Sequence, residues 1–273
     1  MTISRRMALG AASAFAATAG STKLSLASVM RRAAGLHLLR YDENGPPAQR
    51  FMELLVHEDE AGGQSLSSMI WVSGPDSPWF AASSLDETQY NLAVTTYKRR
   101  HYRLRRVSAY NTSGGMRYAG VWEKTAGPDW HSRHGMTQGQ FAKSIAELSG
   151  QGFRMTHADA RVGYAGIWEK GDSSTQRVVH GLSSSDYKQQ LAAFAAQGFM
   201  PVRVSGASTD HGSHYTAIFE PNTVTAWYSN HEMSPSAFYA KDTDLTAQGY
   251  RMTDASGHMQ KGKPLLSGIW QQA

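Results

Sequence analysis

Cysteine is absent from this chain of 273 residues, proline is scarce, and long apolar runs are missing. Without cysteine there is no disulfide framework, no thiolate zinc site and no cysteine nucleophile. No stretch approaches the ~18 consecutive apolar residues that a membrane-spanning helix needs. The chain does contain seven Trp, twelve Tyr and nine Phe, which is too much aromatic surface for a disordered protein. These features predict a soluble, globular protein with a packed core.

The positive charge is concentrated at the amino terminus. The chain carries 27 basic and 22 acidic residues, a formal net charge of +5. Arg5, Arg6 and Lys23 lie in a first segment that has no acidic residue, so about +2 is left on the rest. This charge is low for a nucleic-acid-binding domain, and we expect no nucleic-acid partner.

Residues 1–27 are typical of an export signal. Two arginines, Arg5 and Arg6, precede a weakly apolar stretch at 8–20, and Ser25-Leu26-Ala27 offers small residues for cleavage. This arrangement resembles a bacterial twin-arginine signal peptide. The alternative is a chance arginine pair before an alanine-rich helix. The resemblance implies a protein exported in the folded state to the periplasm or the extracellular space.

The rest of the chain is repetitive. A seven-residue motif, Tyr-Ala-Gly-Val-Trp-Glu-Lys in its first copy, recurs in related form at 118–124, 164–170, 215–221 and 266–272. Its aromatic anchors are spaced 46, 51 and 51 residues apart, at Trp122, Trp168, Phe219 and Trp270. Periods of this size predict an array of similar supersecondary units.

Each unit is predicted to be β-α-β-β, so the fold class is α+β. Thr137, Ser183 and Ser234 are placed as helix N-caps, and a glycine ends each of these helices before a predicted hairpin. Four full units are expected at about 79–125, 130–171, 176–222 and 227–273. Residues 28–78 form a partial unit, whose hairpin strands are predicted at 50–57 and 67–73. The array could be a pseudo-symmetric ring or a short solenoid.

The hairpin tips are the predicted binding face. Three units have longer tips, at 111–115, 208–212 and 256–260, and equivalent loops of a repeat array project from one side. Five residues on the tips or at strand starts are candidate ligand contacts: His211, His214, His258, Trp130 and Trp227. The alternative is that the tip histidines are solvated turn residues.

Three histidines occupy equivalent positions just before the helices: His134, His180 and His231. If the units surround an axis, the three imidazoles could converge on one transition metal. The alternative is a local structural role that recurs because the unit is copied.

A basic cluster in the first full unit has no counterpart in the others. It consists of Lys98, Arg99, Arg100, Arg103, Arg105 and Arg106. Because folding of the other units does not require it, the cluster is a candidate surface for an anionic polymer, such as an acidic glycan or a membrane surface. The alternative is an ordinary solvated face.

Two further polar patterns concern packing. Recurring arginines (Arg103, Arg154, Arg251) lie on the strand that neighbours the recurring glutamates (Glu123, Glu169, Glu220), which predicts cross-strand ion pairs. The alternative is an acid/base role for the glutamates. Asp242 occupies a core position of the last helix. A lone buried carboxylate is costly, so it is either partnered or exposed at the end of the array, and we favour exposure.

The combined pattern of His-Gly-Leu-Ser, Gln-Gly-Phe-Arg and Tyr-Ala-Gly-Ile-Trp-Glu-Lys resembles a known family. It is similar to the bacterial tandem-repeat domain that accompanies β-lactamase-like serine hydrolases, and to the N-terminal half of polyglycine hydrolases. The resemblance covers about 79–273 and implies a non-catalytic role.

The function most favoured by these observations is recognition of a glycan or peptide by the tips and aromatic residues. The alternatives are a metal-dependent hydrolase or oxidase that uses the repeated histidines, and a scaffold that docks a separate β-lactamase-like hydrolase.

Overall fold

The computed structural model describes the following residues: 8–11, 37–40, 49–58, 65–73, 78–112 and 114–272. It contains two compact units. The first comprises residues 1–106 and 110–126, and the second comprises 107–109 and 127–273. Apart from β1 (Ala8–Ala11), the predicted signal segment 1–27 lies outside the described residues.

The described residues of the first unit form two antiparallel sheets and one helix. After β1, its strands are β2 (His37–Arg40), β3 (Gln49–Glu58), β4 (Ser65–Ser73), β5 (Trp79–Leu85), β6 (Arg103–Thr112) and β7 (Gly115–Glu123), and the helix is α1 (Glu87–Arg99). One sheet has the order β1-β4-β3, and the other has the order β2-β5-β7-β6. β3 and β4 pair with Phe51 opposite Trp71, so the hairpin predicted there is confirmed.

The second unit contains three copies of one β-α-β-β motif. In each copy the first and second strands flank the third, giving the orders β8-β10-β9, β11-β13-β12 and β14-β16-β15. The copies are β8 (Trp130–Met136), α2 (Gln138–Gly150), β9 (Phe153–Asp159), β10 (Tyr164–Lys170); β11 (Arg177–Ser183), α3 (Ser184–Ala196), β12 (Phe199–Thr209), β13 (Gly212–Pro221); and β14 (Ala226–Met233), α4 (Pro235–Ala247), β15 (Tyr250–Gln260), β16 (Lys263–Gln272).

The helices begin where side chains cap them. The side chain of Thr137 accepts the amide N–H of Gln140, and Gln140 accepts the amide of Thr137 in return, which forms a capping box. Ser183 and Ser234 cap the next two helices through one bond each, so the predicted N-caps are confirmed.

A glycine and a tryptophan form the centre of most repeats. The ring of Trp168 lies on Gly166, where an added Cβ would be 2.4 Å from the ring atom Cη2. The same contact joins Gly120 to Trp122 and Gly268 to Trp270. The third repeat has Ala217 and Phe219 at these positions, since the smaller ring leaves room for a methyl group.

The predicted α+β class and the four tandem repeats are therefore confirmed. Within the described part of the chain, no helix is both long and apolar enough to cross a membrane.

Candidate functional site

The hairpin tips of the third and fourth repeats lie side by side. Ser208 Oγ donates a hydrogen bond of 2.9 Å to Oε1 of Gln260 in the neighbouring tip, and Gln260 Nε2 lies 3.5 Å from the carbonyl oxygen of Thr209. Thr209 Oγ1 also donates to the carbonyl oxygen of Gly212 at 2.8 Å, which fixes the turn. The two tips thus form one surface within the second unit, which we call the tip surface and define as residues 208–214 and 259–263.

The three histidines predicted at the tips differ in exposure. His211 is exposed, and His214 is half-buried with its Nδ1 3.1 Å from Thr209 Oγ1. His258 is only 2% exposed, so the expectation that it lies exposed on a loop is wrong. The reason is that β15 continues to Gln260, which makes His258 a strand residue facing the neighbouring repeat.

The His258 ring fills a tight polar site. Its Nε2 is 2.9 Å from Ser213 Oγ, and Nδ1 would lie 2.4 Å from a Cβ built on Gly206. Burial, together with the positive charge of Arg161, lowers the pKa of His258 to about 4, while nearby Glu232 opposes the shift. The imidazole is therefore neutral at physiological pH.

A buried ion pair lies below the tip surface. Arg203 NH1 of the third repeat is 2.8 Å from Asp254 Oδ1 of the fourth, and both side chains are almost fully inaccessible. Arg203 Nε also donates to the carbonyl oxygen of Ala158 at 3.1 Å, and the amide of Val204 donates to Asp254 Oδ2 at 3.0 Å. One guanidinium thus joins three successive repeats.

Asp159 supplies a second buried polar centre. Its Oδ2 accepts the amide of Ala109 at 2.9 Å, and its Oδ1 accepts Ser205 Oγ at 3.2 Å and Arg161 Nε at 2.9 Å. Buried and partnered carboxylates of this kind fix the relative positions of the strands that they join. The strands below the tip surface are therefore held rigidly relative to one another.

The two predicted ligand-binding tryptophans do not lie at the tips. Trp130 is buried, with 4% of its surface exposed, and its backbone is paired with Glu169. Trp227 is half-buried and pairs with Gln271, at the opposite end of β16 from Lys263 at the tip. The structure therefore does not bring Trp130 and Trp227 together with His211 and His214. Each tryptophan begins its strand at the end of the sheet that is far from the hairpin tip.

His180 packs between repeats rather than facing an open site. Its ring lies edge-on to Phe141 and Tyr164 of the preceding repeat, with centroids 5.5 and 5.9 Å apart. Phe141 and Tyr164 are themselves stacked at 4.8 Å. Burial lowers the pKa of His180, in keeping with this aromatic environment.

His231 has the same arrangement one repeat later. Its ring lies edge-on to the stacked pair Tyr187 and Tyr215, at 5.0 and 4.8 Å, and its Nε2 is 3.1 Å from Ser184 Oγ. Desolvation lowers the pKa of His231 most, and nearby Glu232 partly opposes this.

The predicted convergence of His134, His180 and His231 on a metal ion is wrong. In the described ranges, no three His, Asp or Glu side chains are grouped to hold a metal. The physical reason is that His180 and His231 seal two different junctions between repeats, each against aromatic rings. His134 is half-buried at the equivalent position of its own repeat.

The predicted basic cluster is divided between surface and interior. Lys98, Arg99 and Arg100 are exposed at the end of α1, and Arg106 is half-buried. Arg103 is only 5% exposed, and Arg105 Nε forms an ion pair with Glu123 at 2.8 Å. The prediction of a six-residue cationic surface is therefore wrong, because strand β6 places part of the cluster in the interior.

Two ion pairs join arginines and glutamates in combinations that the sequence did not predict. Arg154 pairs with Glu220 of the next repeat, and in the first unit Glu123 is bound by Arg105. Asp242 is half-buried and accepts the indole N–H of Trp270 at 2.9 Å, so the expectation that it is simply exposed is wrong. An acid at this helix position satisfies an indole donor that would otherwise be buried without a partner.

Besides Ser184 and His231, a second serine and histidine come together in the Ser213–His258 pair noted above. This pair was missed in the sequence because the two residues belong to different repeats. It resembles a nucleophile and its base, but Ser213 and His258 are both buried, and His258 Nδ1 faces Gly206 rather than an orienting carboxylate. Its geometry therefore supports packing beneath the tip surface rather than acyl transfer.

Comparison with known proteins identifies the repeat. The family model described as "polyglycine hydrolase-like, structural repeat" matches residues 76–125, 127–171, 174–222 and 224–273. A search of curated proteins returned no match.

Proposed function

Since the chain belongs to the polyglycine hydrolase-like structural-repeat family, we propose that it is an exported binding module without catalytic activity of its own. The observation that carries this proposal is the tip surface, in which the Ser208–Gln260 hydrogen bond joins two hairpins above the buried Arg203–Asp254 ion pair. Adaptable loops on a rigid scaffold are a recurrent solution for recognition.

Variation among the repeats supports the same role. The motif around each Trp or Phe anchor recurs along the chain, whereas the tips differ in both length and sequence. The tip of the second repeat is short, and the third and fourth have longer tips that contain Asp210 and Lys261. A fold that needs a constant framework but not constant tips leaves the tips available for a ligand.

The chemistry of the tip surface favours a polar, extended ligand, either a peptide or a glycan. Its exposed groups are hydrogen-bonding or charged: Asp210, His211, Lys261 and Lys263. Trp130 and Trp227 lie elsewhere, so stacking on indole rings is not part of the proposed recognition. Affinity instead rests on hydrogen bonds and charge complementarity, which makes it sensitive to salt.

A second candidate function follows from the family description. The words "polyglycine hydrolase-like" suggest a scaffold that presents a ligand to, or docks, a separate hydrolase. In that case the tip surface contacts a protein, and a co-purifying hydrolase would be released by tip substitutions.

The test compares tip variants on arrays of polar peptides and glycans. Asp210→Ala with His211→Ala, and Lys261→Ala with Lys263→Ala, are each expected to weaken the strongest array interaction by about tenfold or more. Lys143→Ala with Lys188→Ala removes exposed charges from helices α2 and α3 and serves as the matched control. Unchanged far-UV circular dichroism shows that the variants are folded. Equal losses in the control would contradict the assignment to the tips.

Export has its own test. We propose that residues 1–27 direct twin-arginine export, supported by Arg5 and Arg6 ahead of the apolar stretch. Changing both arginines to lysine keeps the charge and is expected to retain the protein in the cytoplasm. Normal export of this variant would contradict the proposal.

A further inference from the structure

The end of helix α1 differs from the ends of the other helices. The amide of Tyr102 donates to the carbonyl oxygen of Tyr97 at 3.0 Å, and that of His101 donates to Lys98 at 3.1 Å. These two bonds form a Schellman motif with His101 at the left-handed position, φ 64°. The equivalent positions of the other repeats are glycines with positive φ, namely Gly152, Gly198 and Gly249.

Folding does not call for a histidine at this position. A side chain at positive φ meets a steric cost that glycine avoids, and three repeats of the same chain use glycine. His101 is exposed, so its ring gains little packing in return. A residue that is unfavourable for the turn and exposed to solvent points to a role outside the fold.

The charges at the same turn are also specific to the first full repeat. Lys98 and Arg99 lie in the last turn of α1, followed by Arg100, and all three are exposed. The last turns of α2, α3 and α4 contain no basic residue, so the repeat does not need cations to complement the helix dipole. The Arg100 guanidinium lies 6.0 Å from the centre of the Tyr97 ring, which restricts its position.

We propose that Lys98, Arg99, Arg100 and His101 form a binding site for an acidic polysaccharide. Arginine guanidinium groups bind carboxylates through two parallel hydrogen bonds, and lysine adds a further positive charge. The site lies in the first unit, whereas the tip surface lies in the second, so it is a separate binding function.

The shape of the site favours a flexible polymer over a membrane. Consecutive residues at a helix end point about 100° apart, so these side chains spread around the turn instead of forming a flat face. A flexible chain can wrap around such a turn, while a planar surface meets only part of it. Among the described residues of α1, Leu92 is the one large apolar side chain that is exposed, which gives little area for insertion into lipid.

The test measures binding of the full chain to polygalacturonate, a carboxylate polymer, with neutral dextran as the control ligand. We expect binding at low ionic strength that is lost at about 0.5 M salt. Arg99→Gln with Arg100→Gln is expected to weaken binding by about tenfold or more and to flatten its salt dependence. Lys143→Gln with Lys188→Gln removes the same number of exposed charges from the second unit and is expected to change binding less than about twofold.

Three results would overturn the proposal. The first is that the unmodified chain does not bind polygalacturonate, and the second is that the two double variants weaken binding equally. The third is that the chain binds vesicles of phosphatidylcholine and phosphatidylglycerol as tightly as polygalacturonate, or more tightly. The last result would assign the cluster to an anionic membrane surface. The tip variants are expected to leave this binding unchanged, so failure here and failure of the proposed tip recognition are distinguishable.

Discussion

The contact between Gly166 and Trp168 makes a quantitative prediction about the core of a repeat. A Cβ at position 166 would lie 2.4 Å from Cη2 and 2.7 Å from Cζ3 of the indole. The ring cannot move away easily, because Trp168 is 0% exposed and packs in the core cluster of its repeat. Overpacking of a buried site costs about 1–3 kcal/mol, and we expect Gly166→Ala to reach the upper end of this range.

The third repeat indicates how the clash is relieved. Ala217 stands where the second repeat has Gly166, and its partner is Phe219, which lacks the outer indole ring atoms that would meet the methyl group. Trp168→Phe alone leaves a cavity and is expected to cost about 2 kcal/mol. The double variant fills part of that cavity, so its stability should be close to that of Trp168→Phe or higher. The predicted coupling between the two changes is at least about 1.5 kcal/mol.

The assay is a double-mutant cycle by urea unfolding, followed by far-UV circular dichroism. Gly139→Ala is the matched control, because a Cβ there meets nothing within 4 Å and the position lies in helix α2. The control should be neutral or stabilising by up to about 1 kcal/mol. Additive effects of the two substitutions, within about 0.5 kcal/mol, would refute the steric explanation.

Three further predictions concern polar residues. The pKa of His258 is lowered from 6.5 to about 4, so between these pH values the unfolded chain takes up a proton that the folded chain does not. Stability is therefore lost as pH falls through this range, by about 3 kcal/mol in total, and urea unfolding at several pH values should show that His258→Gln removes this loss while His211→Gln does not. His101→Gly relieves the positive φ and is expected to raise the free energy of unfolding by about 1 kcal/mol; a lower thermal midpoint would contradict this. Asp254→Ala leaves Arg203 buried without its carboxylate and is expected to cost about 3–5 kcal/mol, while a loss below about 1 kcal/mol in urea unfolding would show that the pair is not structurally important.

The framework was predictable because it depends on local signals that each repeat restates. Cap residues such as Thr137 bond within a few positions of themselves, and helix ends need a residue that accepts positive φ. The hairpins follow from the spacing of the aromatic anchors. Because these signals recur at equivalent positions of each repeat, a wrong interpretation of one copy is corrected by comparison with the others.

Several polar partners were not predictable, because they form between repeats. Arg154 lies opposite Glu169 in its own hairpin, yet its ion pair with Glu220 crosses to the next repeat. His258 was placed at a tip because the longer hairpin of the last repeat was interpreted as a longer turn at 256–260. The repeat register contained the correct signal: His258 is equivalent to Ala207, which is also a buried strand residue.

Comparison of the repeats separates structural departures from functional ones. Where Phe219 replaces tryptophan, Ala217 replaces glycine beside it, so the packing is compensated and the departure serves the fold. Asp242 is likewise explained by the indole of Trp270. His101 has a steric cost at an exposed turn with no such compensation, and exposed cations adjoin it. Binding of a polyanion gives this turn a role that the fold does not.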